Sequence, residues 1–306
     1  GSLRACKLAG REMVVFRAAS GQLGGLHAHC PHLGAHLAHG GVVVGETVRC
    51  PFHGFCFDAA GTCVSTGYNT RPPPRARARR WPVIERHGLV LAWHDEAGRE
   101  PTFDIPDVDT EDWTPFRRMT IRLRSHVQEI AENSVDIGHF AWVHHYTDIR
   151  QTGELETVGP RLGARYSLRR GRRALGRAEG FEVDFEIRQL GLGYALVEVR
   201  LAELGLATRQ LVLARPVDED HIDLTMAMSI HRVDHPEKIH PLLWFAPRGL
   251  LTQLVARLSF NEYASDVLQD RAIWENKIWL PVPALAEGDG FIGRYRQWAR
   301  QFYDRP

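Results

Sequence analysis

Two short runs concentrate the soft metal-ligand types of this chain: Cys30-Pro31-His32-Leu33-Gly34-Ala35-His36 and Cys50-Pro51-Phe52-His53-Gly54. Each offers one thiol and one imidazole on a turn. A tetrahedral zinc site can use two of each, but its usual spacing pairs Cys with Cys on one knuckle and His with His on the other. One of each per knuckle instead suits a [2Fe-2S] cluster. One iron would take the thiolates of Cys30 and Cys50, and the other the imidazoles of His32 and His53. Neutral nitrogen ligands lower the cluster's negative charge and raise its potential, which suits a one-electron relay. The other thiols, Cys6, Cys56 and Cys63, read as small apolar core residues. His27, His29, His36 and His39 crowd the first knuckle and read as surface or outer-shell imidazoles.

A second constellation lies downstream at Asp136-x2-His139-x4-His144. Asp136 and His139 share a helix face, whereas His139 and His144 fall roughly 140° apart on a regular helix. For both imidazoles to reach one metal, the helix must end or distort between them, and Gly138 offers a nearby weak point. Two histidines and one carboxylate leave one side of an iron open to O2 and substrate. The third ligand must come from elsewhere in the chain. His126 and His145 carry no assigned role.

The elements that must hold these groups differ between the two halves. From Val14 to Trp93 short β-like runs, such as Met13 to Phe16, Val42 to Val44 and Leu89 to Trp93, alternate with glycine-rich turns, which predicts a small all-β domain. The run Arg-Pro-Pro-Pro-Arg-Ala-Arg-Ala-Arg-Arg at 71–80 reads as a proline-stiffened connector, or as a basic patch for an acidic electron donor. A proline- and acid-rich segment from Pro101 to Pro115 follows. Residues 125–145 show a helix-like stripe through Ile130, Val135, Ile137 and Phe140. Four alternating runs, Phe181–Leu190, Gly193–Leu201, Thr208–Arg215 and His221–His231, read as amphipathic strands. The stripe Ile292, Tyr295, Trp298, Ala299, Phe302 closes the chain as an amphipathic helix. An antiparallel sheet with helices on one face and an apolar pocket between is an α+β arrangement. The expected domains are 1–105 and 106–306.

The chain has 306 residues, and 38 basic against 37 acidic side chains give a net charge of +1. That balance calls for no nucleic-acid partner. No apolar run is long enough for a spanning helix and no signal-peptide layout is present, so a cytosolic (cytoplasmic) setting is expected. Five cysteines, an odd count, argue against a disulfide framework in that setting. Gly1-Ser2 read as an expression remnant, with a native N-terminal segment expected before the strand-like sequence.

The knuckles Cys-Pro-His-Leu-Gly-Ala and Cys-Pro-Phe-His-Gly-Phe, followed by Phe57-Asp58 and Gly61-Thr62-Cys63, resemble a Rieske domain. Respiratory Rieske proteins add a disulfide across these loops, and its absence here points to the oxygenase branch. Asn133-Ser-Val-Asp136-Ile-Gly-His139-Phe-Ala-Trp-Val-His144 resembles the catalytic motif of Rieske non-heme iron oxygenases, whose domain has a helix-grip fold. The resemblance implies that the third iron ligand sits on a long helix, here around Asn261 to Trp279. That stretch offers Glu262, Asp266 and Asp270 at i, i+4, i+8, which geometry alone does not separate. Gln269-Asp270-Arg-Ala-Ile273-Trp274-Glu275 looks most like the family's segment, so Asp270 is chosen, with Asp266 as the fallback. Asn133 is placed in the shell behind the ligands.

The resemblance also implies a homotrimer in which Asp136 links a cluster histidine of one subunit to an iron histidine of the next, orienting both imidazoles. No Gly-x-Gly-x-x-Gly fingerprint follows a strand. Electrons from NAD(P)H would therefore arrive through a separate flavin reductase, with or without a ferredoxin. The turn Arg215–His221, the run Ile273–Lys277 and the ending Tyr295–Tyr303 look most like the ketosteroid hydroxylase and cholesterol desaturase branch. Hydroxylation or desaturation of a bulky, mostly apolar, steroid-like substrate with O2 is the expectation. Aromatic dihydroxylation or oxidative O/N-demethylation is the alternative, and a Rieske electron carrier without oxygenase activity is the alternative of another class.

Overall fold

The computed structural model describes residues 1–172 and 177–303. They divide into two compact units: residues 1–108 with 216–219, and residues 109–215 with 220–306.

The first unit is all β. Strands β1 (Ser2–Leu8), β2 (Arg11–Arg17) and β3 (Leu23–His27) form an antiparallel meander. A second sheet contains β4 (Val42–Val44), β5 (Thr47–Arg49), β6 (Cys56–Phe57) and β7 (Cys63–Ser65), and β8 (Val83–Arg86) pairs with β9 (Leu89–Ala92). Val14, Phe16, Leu26, Leu37, Val48 and Phe57 fill the space between the first two sheets. Ser2 pairs with Arg17, so β1 begins at the second residue. The arginine-rich run is a pinned connector. Cys63 N–H donates to Ala76 O at 3.1 Å, Ala78 N–H to Gly61 O at 2.8 Å, and Ala76 and Ala78 are buried. The short segment 216–219 belongs to this unit, where Ala9 and Gly10 N–H donate to the carbonyls of Pro216 and Val217, both at 2.8 Å.

The second unit is built on one eight-stranded sheet. Its elements in chain order are β10 (Arg117–Arg124), α1 (Val127–Glu132), α2 (Gly138–Trp142), β11 (Thr147–Gln151), β12 (Glu156–Val158), β13 (Arg161–Arg172), β14 (Arg177–Leu190), β15 (Tyr194–Leu201), β16 (Leu206–Pro216) and β17 (His221–Ile230). The short helix α3 (Pro236–Ile239) precedes α4 (Arg248–Gln269), α5 (Arg271–Asn276) and α6 (Ile292–Ala299). The spatial order is β10-β17-β16-β15-β14-β13-β11, with β12 also on β13. The four expected strands are its centre. Of the other four, β10 and β13 are rich in arginine, which conceals their alternation, although Leu162, Ala164, Tyr166 and Leu168 of β13 are buried at a period of two. The α+β class is as expected.

Two helical expectations are corrected. Residues 125–145 are two short helices, not one: α1 stops at Glu132, and residues 133–137 cross to α2. His126 caps α1, its Nδ1 accepting the Gln128 N–H at 3.2 Å. The helix expected from Asn261 to Trp279 instead begins at Arg248, directly after Pro247, because Leu251, Thr252 and Ala256 are already buried one and two turns in. It is interrupted at Asp270, and 277–279 are not helical.

Candidate metal sites

The two knuckles are built alike. In each, the cysteine N–H donates to the carbonyl five residues on (Cys30 to Ala35, Cys50 to Phe55, both 2.8 Å). The cysteine carbonyl accepts the N–H of the glycine four residues on (Gly34 at 2.9 Å, Gly54 at 3.2 Å). Both glycines are left-handed, φ 76° and 67°, which explains their place in the motif. The turns bury Cys30 and Cys50 to 3% exposure and leave His32 and His53 half-buried, their rings 4.8 Å apart. His32 stacks on Phe55 at 4.4 Å. Leu33, Phe52 and Tyr68 are exposed around the imidazoles.

Burial, together with the neighbouring Cys50 thiol, pushes Cys30 up to about 11, although the N–H groups of His32 and Leu33 favour its thiolate. A compensating cation would favour the Cys30 thiolate there. The donor set therefore fits a centre that takes sulfur on its buried side and nitrogen on its outer side. Cys56 and Cys63 are buried, and their thiols donate to the backbone carbonyls of Gly54 and Ser65. The rings of His27, His29, His36 and His39 form a chain with centroids 4.3–5.6 Å apart, beside the first knuckle.

In the second unit His139, His144 and Asp270 bring their ligand atoms within 4.8 Å of one another. α2 begins, rather than breaks, at Gly138. It ends at Trp142, Val143 N–H closing the last turn on His139 O at 2.8 Å. The backbone then turns through His145 at φ 56°, which swings His144 back toward His139, their rings 5.1 Å apart. The distortion expected between the histidines thus lies after Trp142.

Each imidazole is held through Nδ1. That of His139 lies 2.5 Å from Asp136 O and 3.8 Å from Asp136 Oδ2, while that of His144 meets Gln269 Oε1 at 3.1 Å. Nδ1–H donation to an oxygen leaves Nε2 as the lone-pair donor to a metal. His144 Nε2 lies 3.4 Å from Asp270 Oδ2, both side chains nearly sealed from solvent. Burial opposes a charge on His144, but Asp270, Gln269 and Asp266 outweigh it and raise its pKa. Burial likewise opposes the Asp136 carboxylate, and hydrogen bonding from His139 more than compensates, lowering its pKa. An imidazole pair crowded against a carboxylate is the donor chemistry of a divalent transition metal such as iron.

Asp270 sits at the join of α4 and α5, where its carbonyl accepts Ile273 N–H and Trp274 N–H at 3.0 and 2.9 Å. Asp266, one turn earlier, is engaged elsewhere: it accepts the Tyr146 hydroxyl at 2.9 Å and pairs with Arg170. Asn133, Glu262 and Asp266 line the same cavity as His139, His144 and Asp270. Its opposite wall is apolar, with Phe181, Val183, Phe185, Val197 and Val199 from β14 and β15. Sequence reasoning assigned nothing to Gln269, Tyr146 or Arg170. Their partners lie about a hundred or more residues away in the chain, and no local pattern marks them.

Residues 1–80 match the Rieske [2Fe-2S] domain family, and residues 92–303 the 3-ketosteroid 9alpha-hydroxylase C-terminal domain family. The cholesterol 7-desaturase nvd of Bombyx mori is 30% identical over 99% of this chain, which spans 66% of that protein. A 3-ketosteroid-9-alpha-monooxygenase oxygenase component of Rhodococcus rhodochrous is 28% identical over 96% of this chain and 75% of its own. Among solved structures, Pseudomonas putida CBB5 NdmA with caffeine superposes with a TM-score of 0.73 at 19% identity, covering 97% of this chain and 83% of that one. Dicamba monooxygenase bound to dicamba gives 0.67 at 18%, covering 98% and 92%. These two likenesses speak for the fold.

Proposed function

From the premise that the chain belongs to the 3-ketosteroid 9alpha-hydroxylase C-terminal domain family and carries a Rieske [2Fe-2S] domain, we propose that it is the oxygenase component of a Rieske non-heme iron oxygenase acting on a steroid-like substrate. The observation that carries this is the buried His139–His144–Asp270 donor set opening onto a largely apolar cavity, in the same chain as the paired Cys-His knuckles. Cys30, Cys50, His32 and His53 would hold the [2Fe-2S] cluster, and His139, His144 and Asp270 the mononuclear iron, with Asn133 behind them. When bound, the cluster supplies electrons singly and the iron supplies open positions at which O2 is activated.

The chain's own residues do the rest. Asp136 and Gln269 fix the two imidazoles so that both present Nε2. The apolar wall excludes water and holds a rigid hydrocarbon skeleton against the donor set. We further propose a homotrimer in which Asp136 meets a cluster imidazole of the neighbouring subunit. The exposed Leu33, Phe52 and Tyr68 beside His32 and His53, and the exposed Trp142 of α2, support such an interface. Electrons would come from NAD(P)H through a flavin reductase, with or without a ferredoxin.

The test is anaerobic reconstitution followed by iron analysis and a steroid panel with reductase, NADH and O2, read by product mass spectrometry. Three irons per chain, a reduced-cluster EPR signal and a hydroxylated or desaturated steroid are expected. Zinc in the knuckles, or two irons without substrate-dependent O2 uptake, would sink the reading.

A further inference from the structure

The cavity beside the metal donors is unevenly furnished. Its titratable lining other than histidine and tyrosine consists of three carboxylates, Glu262, Asp266 and Asp270, and one guanidinium, Arg170. Arg170 projects from β13, and its Nη2 donates to Asp266 Oδ2 on α4. The same oxygen accepts the Tyr146 hydroxyl, and the guanidinium carbon lies 5.7 Å from the centre of the Tyr146 ring. The guanidinium is thus clamped at one edge by a carboxylate and over one face by an aromatic ring.

Arginine has five N–H donors in a rigid plane, and among the described residues Asp266 is the acceptor this one meets. Arg170 lines the cavity, and the β14 and β15 residues there, Phe181, Val183, Phe185, Val197 and Val199, carry no side-chain acceptor. Because Asp266 already balances the guanidinium charge, an anionic ligand gains little there. A neutral oxygen gains a hydrogen bond.

We infer that Arg170 is a specificity-determining residue: held between Asp266 and Tyr146, it donates a hydrogen bond to a neutral carbonyl oxygen on an otherwise apolar substrate. Asp266 precedes Asp270 by four residues, so the anchor lies about one helical turn, roughly 6 Å, along α4 from the metal's carboxylate ligand. That places recognition and oxidation on the same end of the substrate. The inference rests on the proposed function and refines it. An apolar wall alone discriminates weakly between skeletons, whereas a donor lining the site, as Arg170 does, disfavours an analogue that leaves it unpaired.

The test uses the reconstituted holoenzyme without O2, with Kd measured by tryptophan quenching. The ligands are matched steroids: 3-keto against 3-deoxy, 17-keto against 17-deoxy, and a steroid carboxylate. One ketone pair is expected to favour the ketone by about 10- to 100-fold in the wild type, the range of a hydrogen bond to a charged group. Arg170→Met should erase that preference while leaving the deoxy compound within about twofold, with iron content unchanged. Should Arg170→Met not fold, Tyr146→Phe, which frees Asp266 from one donor, should shrink the same preference. Equal loss for ketone and deoxy compound in the variant, or tightest binding of the carboxylate by the wild type, overturns the anchor alone. A wild type that binds no steroid overturns the proposed function and the anchor with it.

Discussion

At the level of single residues, the groups legible in the sequence are those whose chemistry admits few substitutes. Cys30, His32, Cys50 and His53 stand out because thiol and imidazole are paired on each of two turns, and His139 and His144 because their motif shares a chain with those knuckles. Glu262, Asp266 and Asp270 were indistinguishable by spacing. The resemblance of the 269–275 segment singles out Asp270, and the fold distinguishes two of them physically, with a Tyr146 hydroxyl and an arginine on Asp266 and an imidazole beside Asp270. Gln269 was invisible because a carboxamide is an ordinary helix residue until His144 arrives 3.1 Å away. Replacing it by leucine should lower iron affinity about 10- to 100-fold, with the [2Fe-2S] signal retained, as measured by iron titration of the apoprotein. Asp136→Asn should retain both metals and lose most turnover. Reduced-cluster EPR that persists after substrate and O2 are mixed in would report blocked transfer, and unchanged turnover would reject the bridging role.

Apolar residues recur at helical spacing on both sides of the 133–137 crossing, so the sequence at 125–145 has the pattern of one helix, and periodicity does not register a change of axis. What fixes that crossing is tertiary. Gln189 Nε2 on β14 donates to Ala131 O and Ser134 Oγ, both at 2.7 Å. On the other side Arg296 of α6 grips Glu132 in a two-bond ion pair at 2.6 and 2.9 Å, both side chains largely buried. Arg296→Met leaves that carboxylate buried and unpaired and should cost about 3–5 kcal/mol in denaturant melts, while Glu132→Leu with Arg296→Met should recover most of it. The knuckles offer a graded comparison. A Cβ at Gly34 meets nothing within 4 Å, whereas one at Gly54 meets Gly67 Cα at 3.0 Å, and both residues are left-handed. Gly34→Ala should therefore cost about 1 kcal/mol, the strain alone. Gly54→Ala should cost more and should lower cluster content, read from visible absorbance per protein.

Across the molecule, the sequence pattern suggests one break near residue 105, whereas the compact units are 1–108 with 216–219 and 109–215 with 220–306, a threading that no local pattern marks. Proton balance also acts at this scale. His94 is half-buried against Trp81, with its Nδ1 sealed off and unpartnered. Burial and the nearby Arg11 and Arg79 lower its pKa, against Asp95 and Glu96, which raise it. The unfolded chain then binds more protons, so this contribution is complete above about pH 6.5 and is lost as pH falls from there through the folded-state value. His94→Phe should flatten that part of the melting-temperature profile between pH 7.5 and 5, and parallel profiles for the two proteins would refute it. The threading has a consequence of a different kind. Because residues 216–219 close hydrogen bonds on Ala9 and Gly10 and bury Val217, the backbone visits the N-terminal unit twice. No single cut releases an intact N-terminal unit, so a gene fragment ending at 108 would encode a piece missing part of its own body. Recombination at the apparent seam would be punished, tying the two halves to a common inheritance.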